Sequence, residues 1–157
     1  MERMNITLVL DRLRSAHNTG NIFRIAEAIG AREIIGCGYT PMPPHPKLEK
    51  TAMGTDRMIP TRVMASSLEA VRTLRSENCK MILAAEYTPE SRFAWEMDYT
   101  FPLALVLGNE ALGILPETLA ECDGVVSLPM FGAKSSINVG NAAAAILYAI
   151  LARSGVK

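Results

Sequence analysis

Leu103-Ala104-Leu105-Val106-Leu107-Gly108-Asn109-Glu110-Ala111-Leu112-Gly113 joins an uninterrupted apolar run to a short polar loop bounded by glycines. An apolar run without polar alternation reads as a strand buried on both faces, the situation of a strand inside a parallel sheet. Comparable runs occupy Ile6 to Leu10, Ile34 to Cys37, Met81 to Ala85 and Val125 to Leu128, with Ile59 to Met64 a weaker sixth. Helical patterns lie between them. Ile22, Phe23, Ala26 and Ile29 form an apolar stripe closed by Gly30, and Ser66-Ser67-Leu68-Glu69 has the form of a capping box. Val139, Ala142, Ala143, Ile146, Leu147, Ile150 and Leu151 recur at three and four through a last helix, which must pack on the core or on a partner. Strands alternating with helices predict an α/β fold, a mostly parallel sheet with helices on both faces. The length of 157 residues predicts one domain, residues 1–157.

Composition removes several function classes. No apolar stretch approaches the roughly 20 residues needed to cross a bilayer, and Met1 to Asn5 leads into a strand without a signal-peptide core, so a cytoplasmic protein without membrane attachment is expected. Cys37, Cys79 and Cys122 are odd in number and form no C-x-x-C pair, and the two histidines, His17 and His45, form no metal motif. Neither a disulfide nor a metal is expected. The net charge of zero argues against a strongly basic nucleic-acid binder but permits a local patch; Arg3, Arg12, Arg14, Arg24 and Arg32 concentrate in the first third. Nucleotide and hydrolase motifs are missing too. No G-x-G-x-x-G follows a strand, Ile114 and Leu115 stand where a phosphate loop needs Lys and Ser or Thr, and there is no G-x-S-x-G.

Three segments are richer in Gly, Asn, Ser and Pro than turns require: Ser15 to Gly20, Gly108 to Gly113 and Pro129 to Asn138. In a parallel sheet, loops at the strands' carboxyl ends are where ligands bind. Tyr39 to Pro46, with four prolines, reads equally as a substrate-facing excursion and as a linker.

The polar residues of those segments fall into a recognisable order. Asn18-Thr19-Gly20-Asn21-Ile22-Phe23-Arg24, then Leu107-Gly108-Asn109-Glu110-Ala111-Leu112-Gly113-Ile114, then Leu128-Pro129-Met130-Phe131-Gly132 with Ser136-Ile137-Asn138-Val139, resemble the three motifs of the SpoU/TrmH branch of the SPOUT RNA methyltransferases. One departure is Gly140, where many relatives carry Ser.

The resemblance implies a SPOUT α/β-knot fold with a deep C-terminal trefoil knot, and a homodimer whose active sites use both subunits. The apolar last helix, with small Ala143 to Ala145, suits such pairing. It implies S-adenosyl-L-methionine as cofactor, held by Leu107, Gly108, Asn109, Gly113, Leu128, Met130, Ser136 and Asn138. It implies methylation of an RNA ribose 2′-hydroxyl, with tRNA favoured over rRNA because the chain lacks the extra N-terminal RNA-binding domain of many rRNA-directed relatives. The alternatives are an rRNA enzyme and a non-catalytic RNA-binding module.

Arg24 is the implied central catalytic residue, with Asn18, Glu110, Ser136 and Asn138 in support, and Arg12, Arg14 and Arg24 are the candidate RNA-phosphate contacts. A guanidinium, which keeps its proton in proteins, suits Arg24 to gripping phosphate and stabilising a developing alkoxide better than to acting as a base. Each residue also has a plain structural reading: Arg24 as an exposed helix residue, Asn18 as an N-cap, Glu110 as a loop anchor, Ser136 and Asn138 as caps, Gly108 and Gly113 as turn glycines, Leu128 and Met130 as core.

Overall fold

The computed structural model describes residues 4–155. Seven strands, β1 (Met4–Asp11), β2 (Ala31–Cys37), β3 (Thr61–Met64), β4 (Met81–Ala85), β5 (Arg92–Phe93), β6 (Leu103–Gly108) and β7 (Gly124–Ser127), form one sheet in the order β3-β2-β1-β6-β4-β7-β5. Every pairing between them is parallel. Five helices connect them: α1 (Ala16–Ala28), α2 (Pro46–Ala52), α3 (Ser67–Ser76), α4 (Pro116–Glu121) and α5 (Val139–Arg153).

Alternation along the central strands assigns side chains to the two faces of the sheet. Ile6, Leu8 and Leu10 of β1 and Leu103, Leu105 and Leu107 of β6 pack with Ile22 and Phe23 of α1, Leu48 of α2 and Ile146 and Leu147 of α5. Val9 and Val106 face the other way, onto Ala70, Val71 and Leu74 of α3. Both faces are therefore covered, as predicted, and this is why β1 and β6 read as continuous apolar runs. The Ser66 cap is also in place: its hydroxyl accepts the Glu69 N–H, while the Glu69 carboxylate reaches back to Ala65 N–H.

Three differences from the sequence reading have local causes. Helices α2 and α4 are too short for an apolar period, and β5, two residues long, is only an edge extension beside β7. Ser15 to Gly20 is not a loop: Ser15 accepts the Asn18 N–H as N-cap, and α1 is under way from Ala16. Tyr39 to Pro46 is no linker either, since the Thr40 hydroxyl accepts Leu13 N–H and shares its one proton between the Cys37 and Leu10 carbonyls at the ends of β2 and β1.

Gly20 shows why a glycine is tolerated inside α1. A Cβ there would lie 2.2 Å from Thr51 Oγ1 and 2.8 Å from the Leu48 carbonyl of α2. Gly20→Ala is expected to destabilise the domain by about 1–3 kcal/mol through overpacking, a melting-temperature drop of roughly 2–12 °C at this size. An unchanged thermal midpoint in calorimetry would show that α2 can retreat freely.

Candidate active site at the carboxyl edge of the sheet

The segment after β6 is fastened from several directions. Asn109 Oδ1 accepts the N–H groups of Ala111 and Leu112, both at 2.8 Å, and its Nδ2 donates to the Arg12 carbonyl and the Tyr39 hydroxyl. Asn109 and Gly113 exchange backbone hydrogen bonds across the turn. Two carboxylates then take the next N–H groups: Glu86 accepts from Ile114 and buried Asp11 from Leu115. The glycines serve this packing. A Cβ on Gly108 would lie 2.7 Å from the Gly113 carbonyl carbon, and Gly113, at φ +70°, would place one 2.6 Å from Glu86 Oε2. Their need is turn geometry first, and close ligand approach only as a by-product.

A chain of side chains ties this loop to the other two segments. Asn18 Nδ2 donates to Glu110 Oε2 at 3.0 Å, and Asn138 Nδ2 donates to Asn18 Oδ1 at 3.0 Å, joining residues 92 and 120 positions apart. Glu110 also accepts Arg14 N–H at 2.9 Å and Ser15 N–H at 3.0 Å, so a negative charge sits at the start of α1, where the helix dipole favours it. Asn138 Oδ1 caps α5 by accepting Gly140 and Asn141 N–H. Partial burial pushes the Glu110 carboxyl upward, but the hydrogen bonds from Arg14, Asn18, its own N–H and Ser15 outweigh it and hold the group below its ordinary value.

These segments enclose a cleft of about 930 Å³, near the upper end of ordinary ligand sites. Leu107, Leu128, Met130 and Ile146 give it aliphatic surface, and Asn18, Ser136 and Asn138 a polar side. Its lining holds two carboxylates, Glu86 and Glu110, and neither Lys nor Arg. Such a lining fits a nucleoside carrying a positive sulfonium and an ammonium, because acceptors and negative potential meet the cationic end while aliphatic groups meet adenine.

Asn18, Leu107, Gly108, Asn109, Glu110, Gly113, Leu128, Met130, Ser136 and Asn138 therefore come together at one cleft. Arg24 does not join them: it is exposed on α1, outside the lining, with no side-chain hydrogen bond among the described residues. Arg12, expected as a phosphate contact, has its guanidinium paired with Asp11 at 2.9 Å and donating to the Gly113 carbonyl at 3.0 Å. Arg14 is exposed. Glu110 is an acceptor already supplied with donors, so the geometry gives it a positioning role. Asn18 caps nothing; Ser15 does. Asp11, Tyr39, Glu86 and Ser127 escaped the sequence reading because none lies in the three polar segments.

An all-parallel sheet with an acidic, cofactor-sized cleft at its carboxyl edge defines an open-sheet α/β domain with a ligand cleft at its strand ends. Within that class the chain belongs to the SpoU rRNA methylase family, whose model matches residues 5–148. Over 144 residues it is 33% identical to the tRNA (guanosine(18)-2′-O)-methyltransferase of Thermus thermophilus, an alignment covering 92% of this chain and 73% of that enzyme. The SpoU methyltransferase AviRb of Streptomyces viridochromogenes, solved in complex with AdoMet, superposes with a TM-score of 0.85 at 29% identity over 98% of this chain and 62% of that one. An AdoMet-bound rRNA methyltransferase from Sinorhizobium meliloti gives 0.88 at 26% identity, over 100% and 59%. The chain thus spans about three-fifths of the length of these two solved relatives.

The Glu110 anchor has a pH signature. A carboxyl held below its ordinary 4.5 in the folded protein contributes stability that is fully present above that value and is lost as pH falls through the lower folded pKa. Wild type should melt above Glu110→Gln at neutral pH, with the gap closing as pH is lowered through and below 4.5. A gap independent of pH would show that the charge of Glu110 contributes nothing.

Proposed function

We propose that this domain transfers the methyl group of S-adenosylmethionine to a ribose 2′-hydroxyl of RNA, with tRNA as the favoured substrate. The observation that carries this reading is the Glu110–Asn18–Asn138 chain, which brings residues of all three motifs to one cleft. The cofactor supplies an electrophilic methyl on a cationic sulfur. Leu107, Leu128 and Met130 hold its adenine, the turn of Gly108, Asn109 and Gly113 fits around its adenosine, and Ser136 with Asn138 bounds the side from which ribose enters. Asn18 and Glu110 position these groups, with Asn18 a second contact for the ribose.

Arg24 grips a backbone phosphate and stabilises the negative charge that grows on the 2′-oxygen as it sheds its proton. Arg14 adds a second phosphate contact. Arg12, already ion-paired with Asp11, holds the loop beneath them.

The exposed place of Arg24, outside its own cleft, supports a homodimer in which α1 of one copy completes the site of the other. Helix α1 packs against α5, and α5 leaves Asn141, Ala145, Tyr148 and Ala152 exposed as an outward stripe. Ala143 takes no part in that stripe, being fully buried in the core. We also read the segment from Leu128 to Asn138 as threaded in a C-terminal trefoil knot. No helix is long and apolar enough to cross a membrane among the described residues. The reading includes a cytoplasmic setting and no metal.

Labelled S-adenosylmethionine with unmodified bulk tRNA should yield label in a 2′-O-methylnucleoside; label appearing only with rRNA, or cofactor binding without transfer to any RNA, would refute the assignment. Arg24→Ala should abolish turnover and leave the calorimetric cofactor affinity intact, whereas joint loss of both would refute this division of roles. RNA affinity in filter binding should fall steeply with added salt, and a flat response would remove the arginine contacts.

A further inference from the structure

Two polar atoms in the cleft, Ser127 Oγ and Glu86 Oε1, make no hydrogen bond among the described residues, and neither residue belongs to the three motifs. Ser127 ends β7, is 5% exposed, and its buried Oγ has no hydrogen bond among the described residues. Glu86 follows β4; its Oε2 accepts Ile114 N–H at 3.1 Å, while Oε1 accepts from no described residue. Strands β4 and β7 pair with Ala85 opposite Val126, and Glu86 N–H donates to the Val126 carbonyl. One further step of that register sets Glu86 beside Ser127. Both line the cleft.

We propose that Glu86 and Ser127 bind the vicinal diol of the cofactor's ribose, Glu86 Oε1 accepting one hydroxyl proton and Ser127 Oγ pairing with the other hydroxyl. This rests on the reading of the cleft as a S-adenosylmethionine site. A carboxylate can only accept and a serine hydroxyl can do both, so the pair matches two adjacent O–H groups. An unpaired buried hydroxyl is unfavourable, so a ligand that pairs with Ser127 Oγ and also meets the open Glu86 Oε1 is a better occupant than one that does neither. Position favours the sugar: Leu128 follows Ser127 directly in the chain and Met130 lies two residues further on, these two are the aliphatic surface read as holding adenine, and ribose is covalently attached to adenine.

The test is calorimetric titration of wild type, Glu86→Gln and Ser127→Ala with three ligands. These are S-adenosylhomocysteine, its 2′,3′-dideoxy analogue, and 5′-methylthioadenosine, which keeps the diol but lacks the amino acid. Wild type should lose about tenfold or more on removal of the diol, as expected for a hydrogen bond to a charged group. Glu86→Gln should lose a similar factor on both diol-bearing ligands and bind the dideoxy analogue as wild type does; Ser127→Ala should do the same to a smaller degree. If Glu86→Gln weakens the dideoxy analogue as much as its parent, Glu86 acts only by anchoring Ile114, and the proposal falls. It falls equally if the loss spares 5′-methylthioadenosine, which would make the ammonium the partner, or if no affinity changes. A wild type that binds none of the three ligands would overturn the cofactor reading itself, a result distinct from all of these.

Discussion

The carboxamide of Asn18 is the joint on which the cleft depends. Glu110 is an ionised acceptor, so only the Asn18 Nδ2 can face it. Asn138 already uses Oδ1 to accept two N–H groups of α5, so it has only Nδ2 to offer Asn18 Oδ1. The chain consequently has one polarity. Aspartate at position 18 would set a carboxylate against Glu110, and leucine would cut the link between Glu110 and Asn138, leaving Glu110 to the backbone N–H groups of Arg14 and Ser15. Asn18 itself is buried, at 9% exposure, between two partners on exposed residues.

That joint works because each end is fixed to regular structure. Glu110 accepts N–H groups where β1 turns into α1, Asn138 starts α5, and Asp11 and Glu86 accept from Leu115 and Ile114 at the ends of neighbouring strands. The sheet order places β1 next to β6 and β6 next to β4, so residues about a hundred positions apart in sequence start from adjacent strand ends. The entropic cost of closing those long connections is met by sheet pairing and core burial. The polar chain then has only to choose one arrangement among loops already close together, which a few hydrogen bonds of modest net strength can do.

Legibility in the sequence followed the strength of the physical signal. Buried parallel strands produce long apolar runs, so β1, β2, β4, β6 and β7 were visible, as were α1, α3 and α5 from their stripes and caps. Helices of seven and six residues carry no such period, which hid α2 and α4. The motif residues were legible as a set, yet their individual duties were not. Whether an arginine is free depends on what folds against it: Arg12 has Asp11 as its chain neighbour, and that adjacency alone does not announce an ion pair reaching the Gly113 carbonyl. Glu86 and Ser127 look ordinary in sequence because their distinction is a partner they lack.

Gly140 illustrates how a departure from a family pattern is absorbed. It is buried in the first turn of α5 and does not line the cleft, so what it meets is the packing of α5 on α1. A Cβ there would lie 2.7 Å from Asn21 Nδ2 and 3.1 Å from Asn138 Oδ1. Asn21 thus occupies the space a side chain at 140 would take. The end of Asn21 is flexible and could yield, whereas Asn138 Oδ1 is held by two N–H groups and could not yield without loosening the α5 cap. Asn21 lies between Asn18 and Arg24 on α1, so the α1–α5 contact that glycine permits also fixes how α1 presents Arg24 at the surface. The same helix therefore carries a buried frame on one side and an exposed cation on the other.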